Sequence, residues 1–154
     1  MDWFVVLLGV TAFVRGMGAG IIYDAALVSP ALRKSIGVVA YAQYVRANLK
    51  GVGGKSYIVV AWAGLLLTLG ATVAAFLTAR GAAVTWWTAG SLVVTALAFL
   101  GTGLALPMLF RLARTADDPE QLTPLLDSYA RWYGFSAWWQ MLAFVASVVA
   151  LAVH

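Results

Sequence analysis

Four stretches of this chain stay apolar for longer than a soluble core tolerates, at about 3–28, 56–78, 86–110 and 132–153. Crossing a ~30 Å hydrocarbon core takes about 20 such residues in a helix. None of the four alternates strictly between apolar and polar, and lipid offers no partner to an open sheet edge. They therefore read as helices rather than barrel strands. The expected fold is all-α, a polytopic membrane four-helix bundle forming a single membrane domain over 1–154. Hydrophobic residues make up 63% of the chain and charged residues only 10%, against about half and about a quarter in soluble domains. That balance excludes an ordinary cytosolic enzyme, a disordered chain and a nucleic-acid partner. The formal charge of +4 comes from bases beside apolar spans, where membranes put them. Membrane lipid is the expected surrounding.

The connections between the spans are unequal. Arg80–Thr85 reads as a tight turn. Two longer connections each carry a short interfacial amphipathic helix. One is Ala31–Leu49, with apolar positions at Ile36, Val39, Ala40, Val45 and Leu49; Gly51, Gly53 and Gly54 end it. The other is Pro119–Arg131, with Leu122, Leu125, Leu126 and Tyr129, opened by Asp118 as cap and Pro119 in the first turn. The first long loop holds Arg33, Lys34, Arg46, Lys50 and Lys55, and the second holds Arg111, Arg114 and Arg131, while the opposite side has only Arg80. The positive-inside rule then predicts cytoplasmic long loops, with both termini outside a bacterial-type inner membrane. Pro30-Ala-Leu-Arg-Lys34 ends span one and Pro107-Met-Leu-Phe-Arg111 ends span three, and Trp62 and Trp139 both lie 32 residues after their proline. This pattern allows a tandem two-span repeat, which would put a site between the halves.

The residues able to carry chemistry are few. There is no cysteine, one histidine (His154, the last residue) and one glutamate (Glu120). Thiolate and multi-histidine metal sites need more ligands than that, so neither a metal nor another cofactor is expected. Arg15 is the most unusual residue, because an arginine near the middle of a span costs roughly 2.5–3.5 kcal/mol on insertion scales. It must face the bundle interior or water, with Thr68, Thr72, Thr95, Thr102 or Gln140 as partners. Two readings stand: it binds or stabilises an anion, or it is a structural arginine on hydroxyls and carbonyls. Asp24 falls on a stripe with Gly16 and Gly20, which places it against another helix. It is either a desolvated carboxylate fit to act as a general base or half of a helix-end ion pair with Arg33, Arg46 or Arg131.

Aromatic and polar side chains gather at two places. Tyr41, Tyr44, Arg46 and Asn48 sit on the first interfacial helix. Tyr129, Arg131, Trp132 and Tyr133 lead into span four, with Trp138, Trp139 and Gln140 deeper. Belt anchoring explains most aromatics at this level, including Trp86 and Trp87 at the far side. For the adjacent Trp138 and Trp139 one ring is expected to turn inward or sideways, with Gln140 a polar point in an aromatic wall.

The run from Gly16-x-Gly18-Ala19-Gly20 through Ser29-Pro30-Ala31-Leu32-Arg33, followed by Tyr41 and Tyr44-Val-Arg46-Ala-Asn48, resembles the first half of the anthrone-oxygenase-like membrane proteins. Pro107, Asp118-Pro119 and Tyr129-Ala-Arg131-Trp132 match that family's second half. The resemblance covers nearly the whole chain. It implies four spans and oxygenation of an aromatic anthrone to a quinone without metal or flavin. Such a reaction needs a base, an anion stabiliser and an apolar aromatic pocket. The resemblance then implies Asp24 as base, Arg15 or Arg131 holding an enolate oxygen, and Tyr44, Trp132 and Trp138 walling the pocket, with Arg46, Asn48 and Gln140 as further ligand-binding candidates. The expected ligand is a small hydrophobic aromatic molecule. Two other classes stay open: a non-catalytic accessory subunit, either self-associating or within a larger membrane complex, and a small transporter of anions or hydrophobic molecules.

Overall fold

The computed structural model describes residues 2–154. Helix α1 spans Trp3–Tyr23, passes through a π-helical turn at Asp24–Val28 and continues as α2, Ser29–Ile36. Then follow α3 (Val38–Lys50), α4 (Val52–Leu77), α5 (Ala82–Arg114) and α6 (Pro119–Ala152). Four helical rods are long and apolar enough to cross a membrane: Trp3–Ile36, Val52–Leu77, Ala82–Arg114 and Pro119–Ala152. The chain is an all-α membrane helical bundle with the four spans expected.

The connections depart from the expected boundaries in three places. The first interfacial segment is two helices, broken at Gly37, whose φ of 84° is a left-handed conformation that costs glycine little. Gly51 alone separates α3 from α4, while Gly53 and Gly54 lie inside α4. They belong there because the chain doubles back tightly: a Cβ on Gly54 would stand 2.5 Å from the Leu49 carbonyl oxygen. Pro119–Arg131 is helical, capped by Asp118, which accepts from the Glu120 N–H at 3.0 Å. It runs unbroken into span four instead of lying apart as a separate interfacial helix, since no glycine separates the two. Arg80–Thr85 is only partly turn, because α5 already begins at Ala82.

Packing is inverted relative to a soluble bundle. Buried faces are built from small and hydroxylated residues, as where α5 lays Ser91, Ala98 and Gly101 against Ser136, Ala143 and Ser147 of α6. The large apolar side chains Phe13, Leu66, Phe76, Trp86, Phe110 and Trp138 point outward. Lipid tails are as apolar as leucine, so helices in a membrane gain by close backbone approach and interhelical hydrogen bonds instead. Ser91 Oγ donates to the Ala143 carbonyl at 3.0 Å and meets Ser147 Oγ at 2.9 Å. Thr68, Thr72 and Thr95 each return their proton to the carbonyl four residues back. Large buried side chains collect at the two ends of the bundle. One cluster is Phe4, Leu8 and Val84 with alanines, and the other centres on Ile22, Leu109, Leu112, Leu122 and Leu126.

Polar ties close both ends. Arg80 grips both carboxylate oxygens of Asp2 and lies over the Trp3 and Phe4 rings. At the long-loop end, Arg46 donates from Nε to the Leu112 carbonyl at 2.9 Å and from one terminal nitrogen to the Thr115 carbonyl at 2.7 Å. Its other terminal nitrogen donates to Asp117 Oδ1 at 2.5 Å. These are the orphan carbonyls at the end of α5, so Arg46 caps that helix. Arg33 pairs with Asp127 at 2.6 Å, tying α2 to α6.

Candidate functional site

A cavity of ≈ 820 Å³ opens in the long-loop half of the bundle. Its wall comes from α1 and the π turn (Gly20, Asp24), α3 (Tyr41, Tyr44, Asn48), α4 (Tyr57, Trp62), α5 (Phe99, Thr102) and α6 (Tyr129, Tyr133). The lining is mostly apolar, with polar atoms at a few points, as in sites for small ligands. Five tyrosines line it, of six in the chain. Tyr129 and Tyr133 rings are 4.8 Å apart, Tyr57 and Tyr133 6.1 Å, and Tyr41 stacks on Tyr44 at 6.1 Å. α-Helical spacing explains both close pairs within one helix: Tyr41/Tyr44 and Tyr129/Tyr133 are three and four residues apart. The π turn matters locally, because its extra residue shifts the register of the chain just where Asp24 and Ala25 reach the cavity.

Behind the cavity lies the polar waist of the bundle. Arg15 is 2% exposed. Its Nε donates to Thr68 Oγ1 at 2.9 Å and one terminal nitrogen to Gln140 Oε1 at 3.4 Å. The other terminal nitrogen is buried without a partner among the described residues. Gly64 makes the space: a Cβ there would stand 3.4 Å from the guanidinium. The Tyr57 hydroxyl joins this waist to the cavity. It meets Thr102 Oγ1 at 3.1 Å, and Thr102 meets Ser136 Oγ at 2.9 Å. Ser136 in turn donates to the Ala98 carbonyl at 2.8 Å.

The sequence-predicted residues separate into distinct places. Asp24, Tyr44 and Asn48 line the cavity together. Asp24 is exposed rather than desolvated against a helix. Its stripe splits, with Gly16 packed on Phe144 while Gly20 and Asp24 reach the cavity. Among the described residues Asp24 makes no ion pair, Arg33 being held by Asp127 and Arg46 by Asp117, and it meets only Ser29 Oγ, at 3.4 Å. Arg15 and Gln140 are together, but in the waist and not on the cavity wall. Arg46 is spent on the α5 cap, and Arg131 is exposed away from the lining.

Trp132 and Trp138 do not wall the cavity either. Trp132 packs edge-on to Phe135 with centroids 6.2 Å apart, and Trp138 is 68% exposed. Gln140 is buried and lies two residues on, so about 200° of helix separates it from Trp138, which must face out. Trp139 packs against Phe135 at 5.8 Å.

Tyr57, Trp62, Phe99 and Thr102 were not singled out as ligand residues by sequence. In the chain they look like ordinary span residues; only their convergence from α4 and α5 marks them. Tyr133 and Tyr129 carried a signal, their four-residue spacing at the entry to α6. Among the described residues no three His, Asp or Glu side chains converge as a metal-binding group. No protein-family model, curated protein or solved structure matches the chain.

Proposed function

We propose that this membrane protein binds a small, hydrophobic, oxygen-bearing aromatic molecule in the cavity walled by α1, α3, α4, α5 and α6. The observation that carries this reading is the convergence of five tyrosines from three helices on one cavity. Tyrosine offers a flat apolar ring and one polar handle, which suits a planar ligand with few oxygens. The cavity volume of ≈ 820 Å³ lies within the range of small-ligand sites. In this reading the cation-rich loops face the cytoplasm and the cavity lies near that side.

The resemblance to the anthrone-oxygenase-like proteins supplies a reaction class. A ring methylene loses a proton to Asp24, its carbanion passes electrons to dioxygen, and the resulting hydroperoxide loses water to leave a carbonyl. One oxygen atom enters the product and the other leaves as water. Asp24 supports this role as the carboxylate on the cavity wall.

Quenching of tryptophan fluorescence by anthraquinone in nanodiscs tests binding, with Trp62 on the wall as a built-in reporter. Gly103 lines the cavity and a Cβ there meets nothing within 4 Å. Gly103→Leu should therefore block binding without disturbing the helices. Unchanged quenching in that variant sinks the cavity assignment. Oxygen uptake with anthrone tests the reaction; full activity in Asp24→Asn removes Asp24 as base.

A further inference from the structure

Among the described residues, Asp24 is the only Asp, Glu, Lys, Arg or His side chain on the cavity wall. The chain carries 10 Lys and Arg against 6 Asp and Glu, so the sign of that single charge is the less expected one. Nothing nearby neutralises it. Asp24 makes no ion pair among the described residues, and its polar contact is the Ser29 hydroxyl at 3.4 Å. Arg33 and Arg46 are committed to Asp127 and Asp117. The other bases at that end, Lys34, Lys50, Lys55, Arg111, Arg114 and Arg131, are exposed and off the wall, where water and salt screen them.

Aromatic rings gather at the same end. Tyr41 packs in one cluster with Ile22 and Ala26, two residues either side of Asp24, and with Tyr129 and Tyr133. It also stacks on Tyr44. Ring faces attract cations. The far end of the cavity differs. There Trp62 and Phe99 meet edge-on at 5.6 Å. Trp62 lies two residues, about 3 Å of helix, before Gly64, which stands against the Arg15 guanidinium. Asp24 is nine residues, about 13 Å of rise, from Arg15 toward the long loops. The cavity thus runs from a free carboxylate among tyrosines to an apolar end with a buried cation behind it.

We propose that the cavity also takes an amphiphilic aromatic cation: its quaternary or protonated amine pairs with the Asp24 carboxylate among the tyrosine rings, and its apolar rings lie toward Trp62 and Phe99. This rests on the cavity reading above and extends its ligand class from neutral to cationic. Buried Arg15 repels a cationic head and so fixes which way round the ligand sits. The two uses of Asp24 exclude each other. A carboxylate paired with a cation is not free to take a ring proton, so a bound amine blocks the carbon-acid reaction rather than undergoing it.

The test compares (anthracen-9-ylmethyl)trimethylammonium, whose charge does not titrate, with 9-neopentylanthracene, its neutral isostere. The full chain sits in nanodiscs of phosphatidylcholine, which has no net charge to attract the cation. Energy transfer from tryptophan to anthracene reads occupancy, with Trp62 on the wall. Signal from the Gly103→Leu protein is subtracted as background. Affinities are referred to the probe concentration in the lipid, so partitioning cancels. The ammonium should bind at least about fivefold tighter than the neutral probe, from an exposed ion pair plus cation–ring attraction. Asp24→Asn should lose most of that preference and Asp24→Glu should keep it. Both should bind the neutral probe within about twofold of the unaltered protein, which shows the cavity intact. An ammonium bound no tighter than its isostere overturns this inference and leaves the cavity reading standing, as does a preference that survives Asp24→Asn. Failure of both probes to bind overturns both.

Discussion

Arg15 and Thr68 meet across the contact between α1 and α4, the guanidinium Nε donating to the threonine hydroxyl at 2.9 Å. Thr68 passes its own proton back to the Gly64 carbonyl at 2.7 Å, and the same Gly64 leaves the room the guanidinium occupies. A single turn of α4 thus supplies both the acceptor and the space. The arrangement holds the cation in place without neutralising it, and one guanidinium nitrogen stays buried and unpartnered. A charge kept at such cost adds little to stability.

That argument predicts the sign of a stability change. Replacing buried ionic groups by apolar residues of similar volume is often neutral or stabilising by about 1–4 kcal/mol. Arg15→Met fills a similar space, and Thr68 keeps its bond to Gly64. The thermal midpoint of Arg15→Met in detergent should equal or exceed that of the unaltered protein. A large drop would show that Arg15 is a structural keystone.

The α5–α6 contact should be the least tolerant of added volume. A Cβ on Gly101 would lie 2.8 Å from Phe135 Cδ1 and 3.1 Å from the Ser136 backbone nitrogen. The phenyl ring has room to swing aside, but the backbone must shift. Gly101→Val should cost about 1–3 kcal/mol, the usual range for overpacking, and lower the melting temperature. Gly90→Val, on the same helix with nothing within 4 Å, is the control that should not.

The loop latch should respond to acid. Arg46 and Gln43 hold the Asp117 carboxyl below its ordinary value of 3.8, as Arg80 and the Phe4 N–H hold Asp2. A depressed carboxylate stabilises the fold above its unfolded value and loses that contribution as pH falls through the folded one. Proteolysis of the segment around Thr115–Asp118, taken relative to an unstructured reference peptide, should therefore stay slow at neutral pH, measured with proteinase K, and accelerate below pH ~3.8, measured with pepsin. Asp117→Asn should give the faster cleavage already at neutral pH. Equal rates in the two proteins would show that Asp117 does not hold the loop.

Trp138→Ala should leave anthraquinone binding unchanged, because its ring faces away from the bundle. Quenching titrations that lose more than about tenfold in affinity, or about 1.4 kcal/mol, would put the ring back in the site.

The number, type and approximate limits of the spans were legible in the sequence because a bilayer demands about 20 apolar residues per crossing and the chain shows that pattern four times. Arg15 was legible as an interior residue for the same reason: lipid would not accept it. Even its partners, Thr68 and Gln140, could be drawn from the short roster of polar residues in the spans. The cavity was not legible. Tyr57 and Phe99 are ordinary span residues in one dimension, and Tyr41, Tyr129 and Tyr133 look like headgroup anchors. Arg46 carried a motif resemblance, yet the α5 carbonyls and Asp117 claim all of its nitrogens.

Local pattern alone therefore determined that this chain lies in a membrane as four helices with a charge inside, because solvent preference acts on each residue wherever it sits. Tertiary structure decided which side chains share a space. Tyr57, Thr102 and Ser136 come together from three helices. That grouping depends on how far each helix is rotated and how closely glycines let neighbours approach. Both are properties of pairs of helices, which periodicity along one of them does not encode.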